Sequence, residues 1–79
     1  MLLEEIRQRF RTKGYHVSDH DDVDKHAAAW FLRRSVSTLR NWRWLGIGPP
    51  YADLGRYGVR YKIADLVNWL DAQVKNHAA

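Results

Sequence analysis

Apolar side chains recur at spacings of three and four in four stretches of the chain, and polar or glycine-rich breaks separate those stretches. Leu2, Leu3, Ile6 and Phe10 form one stripe over residues 2–13, which predicts a short amphipathic helix. Acidic residues open it, basic residues close it, and Gly14 supplies a C-terminal stop. Residues 15–22 have no helical period and read as a polar connector, so the main domain is expected to start near Val23. Asp24 is a candidate N-cap for a helix through Ala27, Ala28, Ala29, Trp30, Phe31 and Leu32, because its carboxylate can accept from amides two or three residues on. The three alanines suggest a close helix-to-helix approach. After Arg33 and Arg34, Ser35 is a second N-cap candidate, and Val36, Leu39 and Trp42 follow at intervals of three until Gly46 ends the segment.

Gly48, Pro49 and Pro50 forbid a further helix, and two extended runs come next, Tyr51 to Leu54 and Val59 to Lys62. Gly55-Arg56-Tyr57-Gly58 joins them, which predicts a hairpin. Ile63, Leu66, Val67, Leu70 and Val74 then share one face of a last helix running to about Lys75, with Asp65 in its electropositive first turn. The expected fold is mainly α with a small β-hairpin, in the order of a winged helix-turn-helix. In this scheme residues 1–22 are an amphipathic helix and polar connector, 23–75 the winged helix-turn-helix domain and 76–79 a tail.

Seventy-nine residues make at most one small module and exclude a large enzyme fold. With no cysteine, stability must come from packing, and a reducing compartment is compatible. The expectation is a soluble, cytoplasmic, nucleoid-associated protein. No run approaches the roughly 18 apolar residues of a membrane span, and Glu4-Glu5 directly after Met1-Leu2-Leu3 is unlike a signal peptide. Two or three of the four tryptophans, at 30, 42, 44 and 69, are expected to fill the centre of so small a core.

Charge changes the picture more than composition does. Residues 27–62 hold seven Lys/Arg (Arg33, Arg34, Arg40, Arg43, Arg56, Arg60 and Lys62) against the single Asp53, whereas the flanking segments are each slightly acidic. A basic block of this kind suits a polyanion. With Leu39 as the inward reference and about 100° per residue, Val36 and Trp42 fall on its side, and Ser37, Arg40, Asn41 and Trp44 on the other. Ser37 and Thr38 would let the backbone approach DNA, Arg40 can fork onto guanine O6 and N7, and Asn41 can pair with adenine N6 and N7. Arg33, Arg34, Ser35 and Arg43 are candidates for the phosphate backbone, and Arg56, Tyr57 and Arg60 for a wing over the minor groove or backbone. Trp44 is read as core cover for the hairpin, with contact to DNA or a partner as the alternative.

His16 and His20 with three nearby aspartates are spaced for ligation only on a helix, and this stretch looks irregular, so no metal is expected. Nucleophile-elbow, phosphate-cradle and catalytic His/acid patterns are missing. We therefore expect no enzyme activity, no cofactor and no small-molecule ligand.

The run from Ala27 through Trp42 resembles the signature of the MerR-like excisionase and AlpA families. Gly48-Pro49-Pro50-Tyr51, Leu54-Gly55, Val59-Arg60-Tyr61, Asp65-Leu66 and Trp69-Leu70 resemble the same families' wing and closing helix, so the likeness spans about residues 23–72. In two positions the chain departs from the pattern: Arg33 stands where glycine is usual, and Arg34 where an apolar residue is usual. A left-handed backbone at Arg33 would cost on the order of 1 kcal/mol. The resemblance implies a recognition helix in the major groove carried by Ser37, Thr38, Arg40 and Asn41, and a wing carried by Arg56 and Arg60. It also implies a role in a mobile element. The leading expectation is an excisionase that binds and bends attachment-site DNA, several copies side by side, with integrase as a partner. An AlpA-like or MerR-like transcription regulator is the alternative, and a protein-interaction module using Leu2, Ile6 and Phe10 is the third; for that helix, packing on its own domain to enlarge a small core is the competing reading.

Overall fold

The computed structural model describes residues 2–77. They run α1 (Leu3–Thr12), β1 (Asp22–Asp24), α2 (Lys25–Leu32), α3 (Val36–Leu45), β2 (Ala52–Asp53), a 3-10 turn (Gly55–Tyr57), β3 (Val59–Lys62) and α4 (Ile63–His77). The result is mainly helical, with a three-stranded antiparallel sheet in the order β1-β3-β2. Residues 78 and 79 of the expected tail lie outside the described residues.

The expected caps form. Asp24 Oδ1 accepts from the Ala27 amide at 2.9 Å, and Ser35 Oγ from the Thr38 amide at 3.0 Å. Three helices also end with one and the same closure. After α1, Gly14 N–H donates to Arg11 O and Tyr15 N–H to Phe10 O; after α3, Gly46 donates to Arg43 O and Ile47 to Trp42 O. After α2 the donors are Arg33, to Trp30 O, and Arg34, to Ala29 O. This pair of bonds needs a left-handed residue, which is Gly14 or Gly46 in two cases and Arg33, at φ 57°, in the third. The strained turn foreseen at Arg33 is present.

The centre consists of Ile6, Phe10, Val17, Val23, Ala27, Ala28, Ala29, Leu32, Leu39, Tyr61, Ile63 and Leu66, all buried. Tyr61 and Phe10 are the largest fully buried side chains. Tryptophans do not fill the centre as expected. Trp30, Trp42 and Trp69 are half-buried around it, Trp30 edge-on to Phe10 at 5.4 Å and Trp42 beside Trp69 at 5.1 Å. A Cβ on Gly48 would stand 2.9 Å from Cε3 of Trp42, so glycine lets the loop after α3 close over that indole.

Three sequence expectations are corrected. Ile6 and Phe10 do not offer a partner surface: they are 1% and 0% exposed, sealed in the protein's own core, and of that trio only Leu2 is exposed. Burying them enlarges a core that residues 23–72 alone would leave small. Next, the connector is not featureless. Val17 is buried, Ser18 to Asp21 forms a turn, and Asp22–Asp24 adds a strand to the sheet, pairing Val23 with Tyr61. Lastly, the hairpin's first strand is only Ala52–Asp53, because Leu54 already bends (φ −100°, ψ 22°) into the 3-10 turn.

Candidate nucleic-acid interface

Leu39 is buried beneath α3, and Ser37, Arg40 and Asn41 are exposed on its other side, as the helical projection requires. Thr38 is half-buried, and its hydroxyl lies 2.9 Å from Ser35 Oγ, so it completes the cap at the head of the helix. Arg33 and Arg34 are exposed in the turn before it. They share the lining of a depression of about 360 Å³ with Arg9 of α1, beside Trp30 and Phe31. Arg9 was not singled out from the sequence. Its separation from Arg33 along the chain hides this, and only the packing of Phe10 against Trp30 and Phe31 of α2 brings Arg9 to the same depression as Arg33 and Arg34.

The other basic candidates differ in availability. Arg43 Nη1 donates to the Tyr61 hydroxyl at 2.7 Å, and its guanidinium lies 5.8 Å from the centre of the Tyr51 ring. These contacts tie α3 to the sheet, so Arg43 is held inward and is not the free backbone contact expected. Arg60 is likewise committed. Its Nε and Nη2 both reach Asp22 Oδ1, at 2.9 and 2.8 Å, and Nη2 also donates to the Asp22 carbonyl at 3.1 Å. The wing role assigned to Arg60 is therefore corrected to a clamp between β3 and β1. Asp22 carries this clamp as a carboxylate: burial alone would raise its pKa, but hydrogen bonds from Ser18 and Arg60 and the nearby charges of Arg60 and His20 hold it below the ordinary value.

The hairpin tip retains the features foreseen for it. Arg56 and Tyr57 are both exposed, with the guanidinium 5.9 Å from the Tyr57 ring centre. Asp53 Oδ1 accepts from the Gly55 amide at 2.9 Å, and Leu54 N–H donates to Gly58 O at 2.9 Å, which closes the tip. Asp53, the one acid of the basic block, is spent on this turn.

Trp44 is the residue most clearly misjudged. It does not cover the hairpin but is 84% exposed on the same side of α3 as Ser37. Helical periodicity already pointed outward there; the usual preference of tryptophan for burial was the weaker guide.

No family model matches the chain, and no curated protein does. Among the described residues no helix is long and apolar enough to cross a membrane, and no group of three His, Cys, Asp or Glu is placed to hold a metal ion.

Proposed function

We propose that this chain is a winged helix-turn-helix protein that binds double-stranded DNA sequence-specifically. In this reading α2 and α3 are the helix-turn-helix, and β2, β3 and the turn between them are the wing. The observation that carries it is the outward side of α3, where Ser37, Arg40 and Asn41 are exposed opposite buried Leu39. The types are those that read base edges: a short hydroxyl permits close approach, arginine matches guanine, and an amide matches adenine. Arg33, Arg34 and Arg9, gathered beside the start of that helix, suit phosphates flanking the groove. Arg56 at the tip suits the neighbouring backbone.

The likeness of residues 23–72 to MerR-like excisionases and AlpA proteins supplies the biological setting. We place the chain in a mobile element, as an excisionase whose copies lie side by side on attachment-site DNA and bend it for integrase.

A gel-shift series against selected and random duplexes tests the binding. Arg40→Ala and Asn41→Ala should each reduce discrimination between the two by roughly 1–3 kcal/mol. Arg56→Ala should weaken all sequences alike and make the slope of log K against log salt shallower by about 0.9. Unchanged discrimination in both α3 variants removes that helix from the reading role. Excision reconstituted with integrase and attachment DNA tests the setting: stimulation is expected, and a protein that only shifts promoter output is a regulator instead.

A further inference from the structure

We propose that Trp44 reads the 5-methyl group of a thymine in the major groove, so that preferred sites carry an A·T pair beneath the C-terminal half of α3. The inference rests on the duplex-binding reading above and names a specificity contact within it.

At 84% exposure, Trp44 is the most exposed large hydrophobic side chain among the described residues, while the other three tryptophans pack against the core. Among the described residues it belongs neither to the core cluster nor to any aromatic pair. At about 100° per residue it projects about 20° from Ser37, 40° from Arg40 and 60° from Asn41, but 140° from buried Leu39. It therefore lies inside the polar stripe that faces the bases.

Reach agrees with direction. Seven residues on from Ser37 is a rise of about 10.5 Å along the helix, roughly three base-pair steps, so with the helix lying along the major groove the indole stands about three base pairs from Ser37. The floor of that groove presents hydrogen-bonding groups on every pair and a single apolar one, the thymine methyl. Facing that floor, an indole gains most by covering the methyl. The flanking cation Arg40 and the polar groups of Ser37 and Asn41 favour a nucleic acid over an apolar protein partner on this stripe.

The test uses the full chain and a duplex selected from a random pool, in which each thymine is replaced in turn by deoxyuridine. Uracil keeps the O4 acceptor and the pairing, so only the methyl is lost. At one position the replacement should weaken wild-type binding about fourfold, the value of one buried methyl-sized group. Trp44→Phe should retain that sensitivity. Trp44→Ala should bind the unmodified duplex several-fold more weakly and be indifferent to the replacement. A wild type insensitive at every thymine overturns the inference, as does a Trp44→Ala variant that keeps the same sensitivity, or one that binds the duplex normally and loses only self-association. Failure of the wild type to select any duplex overturns the DNA-binding reading itself, and so is distinguishable from these.

Discussion

Arg40 on α3 and Arg60 on β3 have the same chemistry and belong to the same basic block, yet they have opposite fates. Arg40 is exposed and makes no ion pair among the described residues; Arg60 is half-buried and grips both the carboxylate and the backbone carbonyl of Asp22. What separates them is an acid 38 residues away in the chain, delivered by a three-residue strand. Net charge along a segment therefore overstates what a polyanion would meet. Of the seven basic residues in 27–62, Arg43 and Arg60 are committed to internal partners, which leaves the turn, the outward side of α3, the hairpin tip and Lys62 as the available charge.

The largest test of this contrast is stability. Arg60→Ala leaves the Asp22 carboxylate, whose side chain is 19% exposed, without its main partner. A loss of about 2–3 kcal/mol is expected in urea unfolding. Arg40→Ala, which breaks no contact of that kind, should stay within about 0.5 kcal/mol of wild type. Equal stability of the two variants would mean that the clamp contributes nothing and that the distinction between held and free arginines is wrong.

A smaller effect of opposite sign is expected at Arg33. Its left-handed backbone closes α2 with the same pair of hydrogen bonds that form around Gly14 after α1 and Gly46 after α3. Arg33→Gly relieves a strain of about 1–2 kcal/mol and gives part of this back through the freer unfolded chain, for a net gain of roughly 0.5–1 kcal/mol. If Arg33 meets phosphate, the same variant binds duplex DNA more weakly and with a shallower salt dependence. A variant both more stable and weaker in binding would show that strain is tolerated at this turn to keep a charge at the mouth of α3. No gain in melting temperature would remove the strain from the account.

Most of the fold was legible because its signals are local. The stripes of α1, α3 and α4, the caps at Asp24 and Ser35 and the stop at Gly46 depend on residues within one or two turns of each other. The outward set Ser37, Arg40, Asn41 was legible for the same reason. What was missed depends on distant partners. Asp22–Asp24 is too short and too polar to announce a strand, and becomes one only because Tyr61 and its neighbours lie alongside. The inward fate of Arg43 follows from Tyr61 and Tyr51, and the placing of Arg9 in one depression with Arg33 follows from Phe10 packing on Trp30 and Phe31. Trp44 is a different case: its periodicity was correct and was set aside for a rule about residue type.

Acid offers the finest test, because it converts a held arginine into a free one without mutation. The Asp22 carboxyl is more acidic in the folded protein than in the unfolded chain, so the native state binds fewer protons at this site. Its stabilisation is fully present above the ordinary aspartate range, near pH 4, and is lost as pH falls through the lower folded value. Between pH 5 and 7 this site should therefore contribute no pH dependence; below the ordinary aspartate range the unfolded chain takes up the proton first, so stability falls, and the guanidinium is released only as pH passes the lower folded value. Asp22→Asn removes the titrating group. Its unfolding free energy, measured beside wild type from pH 6 down to pH 3, should start lower and fall less steeply at the acid end. Parallel curves would show that the Arg60 clamp does not depend on the Asp22 charge, and that what holds this arginine is its hydrogen bond to the Asp22 carbonyl.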